Sequence, residues 1–220
     1  MNPEVTLVIT SFNRPDLLRK TIDSLYQHNC YKINEVIIVD DSGDKTMHKW
    51  LERHYSDCFL ILNENNIGAY ESIDKAYSFV RTHYVLHVED DWLFTKSGFL
   101  WHSLEILESN HEIMQVNLSN DENIPIEPEV FKVGDTEYRI MGTDKDGFWH
   151  GFTCRPSVRS MAGYEKTKPW TQWSTKEDFL ALREMKVGKE YFRLGYKAAV
   201  LNDYFCSHIG LGRRTWHPNT

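Results

Sequence analysis

Three consecutive carboxylates, Glu89-Asp90-Asp91, close the apolar run Tyr84-Val85-Leu86-His87-Val88. Carboxylates about 5 Å apart repel by roughly 3 kcal/mol at an effective dielectric of about 20. A chain that sets three of them at the end of a buried strand usually offsets that repulsion with a cation. Oxygen ligands suit Mg²⁺ or Mn²⁺, which also bridge the phosphates of a nucleotide. An acidic strand exit that caps the next turn needs no cation, and the triplet alone fits both readings. Asp40-Asp41 closes a second run, Val36-Ile37-Ile38-Val39. Asp-Asp-Ser-Gly is ordinary turn chemistry. A carboxylate there also suits the imide N–H of a uracil base, with Phe12 nearby either stacking on that base or packing in its loop, the commoner role of a loop aromatic.

The elements that position these groups alternate between β-branched runs and amphipathic helices. Val5-Thr6-Leu7-Val8-Ile9 reads as a buried strand, and Ser11-Phe12-Asn13-Arg14 turns the chain. Pro15 suits the first helical turn, where its missing N–H costs nothing. Leu17, Leu18, Ile22 and Leu25 then recur at helical spacing. Further strands are expected at residues 36–39, 59–62 and 84–88, and helices at 45–54 and 69–80. Strand and helix in alternation imply parallel strands joined by right-handed crossovers. In such sheets ligands lie beyond the carboxyl ends of the strands. The polar clusters at residues 11–14, 40–44 and 89–91 all fall at those ends and converge on one edge.

The second half is less regular. A helix near residues 98–107, a strand near 113–118, a loop over 121–128 and a hairpin turning at Gly134-Asp135 are expected. A helix from Ser174 or Thr175 to about Lys186 and a strand at 196–201 follow. At 220 residues the chain suits one domain, 1–220. Its formal charge of −7, with no basic stripe, argues against a nucleic-acid partner. The cysteines Cys30, Cys58, Cys154 and Cys206 form no C-x-x-C pair, and reduced thiols in the cytoplasm are the simpler reading. No run approaches the roughly 20 apolar residues of a membrane span. A membrane-linked acceptor would therefore be met by peripheral contact.

The segments Ile9-Thr10-Ser11-Phe12-Asn13-Arg14-Pro15, Val36-Ile37-Ile38-Val39-Asp40-Asp41, Asn66-Ile67-Gly68 and Glu89-Asp90-Asp91 together resemble the nucleotide-binding half of family 2 glycosyltransferases. The match in order and spacing covers residues 4–94. The resemblance implies a GT-A fold, a Rossmann-like α/β sandwich with a mostly parallel central sheet flanked by helices. Residues 1–94 would then form the nucleotide-binding half and 95–220 the acceptor half. It further implies that Thr10, Phe12 and Asp41 contact base and ribose, with Ser11, Arg14 and Gly68 completing the nucleotide-sugar set. Glu89 and Asp90 would hold ribose or metal-bound water, and Asp91 would ligate Mn²⁺ or Mg²⁺.

Lys176-Glu177-Asp178-Phe179 resembles the family's x-E-D motif, which makes Asp178 the catalytic base of an inverting transfer. Ser174-x-x-Glu177 and Thr175-x-x-Asp178 also fit a helix capping box, which needs no catalysis. His208, one of ten histidines, resembles the C-terminal histidine that contacts the metal, although a lone histidine is by default structural. Three departures stand out: Glu89 where aspartate is commoner, Phe12 for tyrosine, and Glu71-Ser72-Ile73 where an Arg-Asn pair is usual. The diphosphate charge must then be met elsewhere; Arg213 and Arg214 either close over it as a lid or belong to a frayed C-terminal tail. Trp149, Trp170 and Trp173 suit either sugar faces or a core. The Q-x-x-R-W motif of processive synthases is missing, so one UDP-linked sugar moved to an acceptor hydroxyl is the expectation. A sugar nucleotidylyltransferase would carry a Gly-rich loop where Ser11-Phe12-Asn13 stands. A non-catalytic binding module on the same fold is the remaining alternative.

Overall fold

The computed structural model describes residues 2–119 and 124–213. The first half runs β1 (Val5–Ser11), α1 (Pro15–His28), β2 (Glu35–Asp40), α2 (Lys45–His54), β3 (Phe59–Leu62), α3 (Ala69–Tyr77) and β4 (Tyr84–Glu89). Local chemistry accounts for these boundaries. Pro15 occupies the first turn of α1. The Asp44 carboxylate caps α2 by accepting the N–H groups of Thr46 and Met47. Gly68, at φ 109°, turns the chain into α3. Strands β3-β2-β1-β4 pair in parallel in that spatial order.

Alternate residues of these strands feed two cores on opposite faces of the sheet. Leu7, Ile9, Leu86 and Val88 join one, while Val8, Ile37, Val39 and Val85 join the other. A sheet covered on both faces reads as continuous apolar sequence rather than as alternation, which is why these strands are visible in the sequence.

The second half contains β5 (Trp92–Phe94), α4 (Phe99–Ser109), β6 (Ile113–Asn117), β7 (Phe131–Val133), β8 (Thr136–Ile140) and β9 (Ser157–Ser160). Next come α5 (Met161–Thr167), a 3₁₀ turn (Trp170–Gln172), α6 (Leu180–Arg193), β10 (Lys197–Leu201) and β11 (Cys206–His208). The sheet extends as β4-β9-β6-β10-β8-β7. Among the described residues only β9 and β8 run against the other seven of its nine strands. This is the mostly parallel, helix-flanked GT-A sheet. Met1, residues 120–123 and residues 214–220 lie outside the description, and with them part of the expected 121–128 loop and Arg214.

One expectation is corrected. The helix expected from Ser174 to about Lys186 is α6, which starts at Leu180 and runs to Arg193. No capping box stands at its start, where Phe179 is the N-cap without a side-chain cap bond. Instead the Asp178 carboxylate accepts the Thr175 N–H at 2.8 Å and closes a turn ahead of the helix. Strand β9, which lies between β4 and β6, has no counterpart in the sequence reading, because Ser157, Arg159 and Ser160 carry no apolar pattern. Arg159 is 3% exposed. It donates to Ser157 Oγ, Tyr77 Oη and the Thr153 carbonyl and lies over the rings of Phe152 and Trp170. Hydrogen bonds and ring faces together stabilise this buried cation. No described helix is long and apolar enough to cross a membrane.

Candidate functional site

Loops at the carboxyl ends of the parallel strands border a cleft of about 340 Å³. From β1 come Thr10, Ser11, Phe12 and Arg14, from β2 Asp41, from the β3–α3 loop Asn66, Ile67 and Gly68, and from β4 Glu89 and Asp90. Opposite them stand Lys176, Asp178, Leu180 and Arg183, from α6 and the segment before it. The cleft thus gathers residues from four strand ends with Asp178, 87 or more positions further along the chain than Glu89–Asp91.

The two aspartates after β2 divide the work. Asp40 is fully buried and makes the turn, accepting the N–H groups of Asn13 and Ser42. Asp41 faces the cleft. Its Oδ1 accepts Asn63 Nδ2 at 2.9 Å and the Ile67 N–H at 2.8 Å, and its Oδ2 accepts the Gly68 N–H at 2.8 Å. A carboxylate offers about four acceptor positions, so one remains for a donor in the cleft. Ser11 Oγ is buried and has no partner among the described residues.

The acidic triplet is held by Arg14. Its guanidinium forks onto both oxygens of Asp90, through Nη2 to Oδ1 and Nε to Oδ2, and reaches Asp91 Oδ2 through Nη1 at 2.6 Å. Asp90 Oδ2 also accepts the Phe12 N–H, and Thr21 Oγ ties the 90–92 backbone to α1. Arg14 and Asp90 therefore join β1 to β4 and set the cleft floor rather than projecting freely into it. Burial pushes the Asp90 carboxyl up to about 6 against the pull of Arg14. Burial pulls Arg14 the other way, but Asp90 and Asp91 outweigh it and hold the guanidinium above its ordinary value. Burial, and next the Asp91 charge, push Glu89 up to about 8 although Glu89 accepts the Trp92 indole N–H.

Asp91 and His208 do not line the cleft directly; they meet beside Arg14, which lines it and bonds Asp91. Strand β11 pairs with β5, placing His208 opposite Trp92, and His208 Nε2 lies 3.1 Å from Asp91 Oδ2. The pair brings an oxygen and a nitrogen donor close enough that the two would share one divalent ion. Among the described residues no group of three or more His, Cys, Asp or Glu side chains forms a metal cage. The remaining ligands would be substrate phosphate and water, as is usual for Mg²⁺-type sites. Gly210 completes this corner, since a Cβ there would stand 2.1 Å from Asp91 Oδ2.

Asp178 Oδ2 accepts Lys186 Nζ at 2.6 Å, and that bond, followed by the Thr175 N–H, holds its carboxyl below the ordinary range. The sequence reading missed Arg183 and Lys176. Arg183 is 5% exposed, bonded to Ser174 Oγ and both oxygens of Glu71, and stacked on Tyr70 at 4.3 Å. Glu71 occupies the segment where the family usually has an Arg-Asn pair. Here it anchors an arginine delivered from α6, which no local spacing could reveal. Arg213, expected as a lid, pairs with Asp16 at 2.6 Å and does not line the cleft. Trp170 belongs to the core, packed among Tyr70, Tyr77, Phe152 and Tyr164.

The fold is similar to that of a mannosyltransferase, PcManGT from Pyrobaculum calidifontis, solved in complex with GDP-Man and Mn²⁺. The TM-score is 0.67 at 16% identity, covering 97% of this chain and 59% of that one. This chain therefore spans about three-fifths of that structure's length. Comparison with curated proteins finds no match. The family model described as Glycosyl transferase family 2 matches residues 6–167, well over half of the sequence, and the chain belongs to that family.

Proposed function

We propose that the protein transfers one hexosyl unit from a UDP-sugar to an acceptor hydroxyl with inversion, in a metal-dependent reaction in the cytoplasm. The observation that carries this reading is the single cleft that joins Thr10, Ser11, Phe12, Asp41, Gly68 and Glu89 to Asp178. The Phe12 ring takes a face of the base, and the free acceptor position of Asp41 takes its imide N–H. Gly68 lets the loop backbone approach the ribose and diphosphate closely. Arg183 and Lys176 add positive charge for the diphosphate from the opposite wall. Glu89, which lines the cleft, takes the ribose hydroxyls in this reading.

Asp178 accepts the proton of the acceptor hydroxyl while that oxygen attacks the anomeric carbon from the side away from the diphosphate. The new C–O bond forms as the bond to the diphosphate breaks, which inverts the centre. Mn²⁺ or Mg²⁺ on Asp91 and His208 would neutralise charge on the leaving diphosphate. Arg14 holds Asp90 and Asp91 in register for that corner. The cysteines Cys30, Cys58, Cys154 and Cys206 stand as free thiols, the form a reducing compartment keeps, which supports the cytoplasmic assignment.

The test is thermal stability against UDP, dTDP, GDP and CMP, with and without Mn²⁺. A ligand at about 100 times its Kd adds about 2.7 kcal/mol, or roughly 5–10 °C for a domain of this size. UDP with Mn²⁺ is expected to give that shift, and Asp91→Ala to abolish it. Asp178→Asn should keep the shift while turnover falls by about 10²-fold or more. A GDP-only shift would reassign the base. No shift with any nucleotide would leave a non-catalytic module on the same fold.

A further inference from the structure

A second cavity, of about 320 Å³, opens beside α6. Leu182, Met185, Lys186 and Lys189 line it at helical spacing, while Arg183 on the adjoining face of the helix lines the donor cleft. Its other wall is Phe148 and Trp149, with Phe192 at the end of α6. Trp149 is 7% exposed and fixed through its indole N–H to the Met141 carbonyl at 3.1 Å. Gly151 permits that placement, because a Cβ there would meet the indole at 1.9 Å. Phe148 and Phe192 are half-exposed rings, and Phe192 packs on Trp149 at 5.8 Å between centroids. The aromatic wall is therefore preformed.

Both charged groups at this cavity are lysines, and no carboxylate lines it, in a chain whose formal charge is −7. Lys189 is exposed. Lys186 bonds Asp178 at 2.6 Å, so the two cavities meet at that ion pair, one lined by Asp178 and the other by Lys186.

We propose that this second cavity is the acceptor subsite and takes a saccharide carrying an anionic substituent, a carboxylate or a phosphate. The inference rests on the transferase reading: an acceptor must reach Asp178 from outside the donor cleft, and this cavity adjoins it there through Lys186. Aromatic rings offer flat apolar faces to the C–H face of a pyranose. Lysine ammonium groups form charge-assisted hydrogen bonds to carboxylate or phosphate oxygens. An anion drawn to Lys186 also competes with Asp178 for that ammonium, so acceptor binding would free the base as it delivers the hydroxyl.

The experiment titrates ¹⁵N-labelled protein with methyl β-glucuronide, glucose 6-phosphate and uncharged methyl β-glucoside, following the Trp149 indole N–H signal, assigned with Trp149→Phe. One or both acidic probes are expected to shift that signal saturably and at least about tenfold more tightly than the neutral glucoside. The tighter of the two identifies the anion. Lys189→Glu, and to a lesser degree Lys189→Gln, should weaken the acidic probes by at least about tenfold while the nucleotide-induced melting shift is unchanged. Phe192→Ala should weaken all three probes. Equal binding of charged and neutral probes, indifference to Lys189→Glu, or no shift with any probe overturns the proposal. Nucleotide stabilisation without a probe shift removes this inference alone. A probe shift without nucleotide stabilisation leaves a saccharide site and removes the transferase reading.

Discussion

Replacing Gly210 by alanine sets a methyl group against the carboxylate of Asp91. The added carbon would lie 2.1 Å from Oδ2, 2.7 Å from Cγ and 2.8 Å from Cβ of that residue. Nonbonded carbon contacts settle near about 3.5 Å, so one side must yield by roughly 1 Å. Asp91 is poorly placed to yield elsewhere. Its Oδ2 is held by Arg14 at 2.6 Å and His208 at 3.1 Å, and its carbonyl accepts the Ile209 N–H at 2.8 Å. Movement of the carboxylate therefore separates it from His208 and breaks the corner proposed to hold the metal. A displacement of about 1 Å at a reacting site costs roughly 10²-fold in rate, or about 2.7 kcal/mol of barrier. Overpacking typically costs about 1–3 kcal/mol of stability, so the fold should survive. The assay is sugar transfer or donor hydrolysis against a Mn²⁺ titration, for wild type, Gly210→Ala, Asp91→Ala and the double variant. We expect Gly210→Ala to lose turnover and to need more metal, and the double variant to be no worse than Asp91→Ala alone. Additive losses, or wild-type turnover and metal midpoint in Gly210→Ala, would refute the argument that Gly210 acts through Asp91.

Other substitutions probe the same scaffold. Arg14→Ala leaves Asp90, fully buried, without its charge partner, and denaturant titration should show a loss of about 3–5 kcal/mol; a loss under 1 kcal/mol would mean the pair is dispensable. Lys186→Met removes the bond that holds the Asp178 carboxyl low, so the acidic limb of the pH–rate profile should move to higher pH, and an unmoved limb would detach Asp178 from that limb. His87 is fully buried, and burial, then Arg159, push its imidazole well below its ordinary value. It stays neutral in the fold while the unfolded chain binds a proton below about pH 6.5, so its contribution is intact above that pH and fades as pH falls, by up to about 1.4 kcal/mol per unit. Unfolding free energies from pH 7.5 to 5 should therefore fall less steeply for His87→Asn than for wild type, and equal slopes would contradict the assignment.

The sequence by itself determined the parallel half of the sheet, because strands buried on both faces are written as uninterrupted apolar runs and each run ends in polar loop residues. Those ends brought Ser11, Phe12, Arg14, Asp41, Glu89, Asp90 and Asp91 to one edge, and the family resemblance added Thr10, Gly68, Asp178 and His208. Only the tertiary structure decided how the second half completes the site. Strand β9 is polar in sequence because its cation is stabilised by rings and hydroxyls from distant segments. The x-E-D segment is a turn rather than a helix start because the Asp178 carboxylate is spent on Thr175 and Lys186. Arg183 reaches the cleft because Glu71, 112 residues away, holds it. Arg14 turned out to clamp Asp90 and Asp91, a role fixed by side-chain geometry across two strands. Local pattern records which face of an element is buried; partners contributed by other elements leave no periodic mark, and the charges of this site are set by such partners.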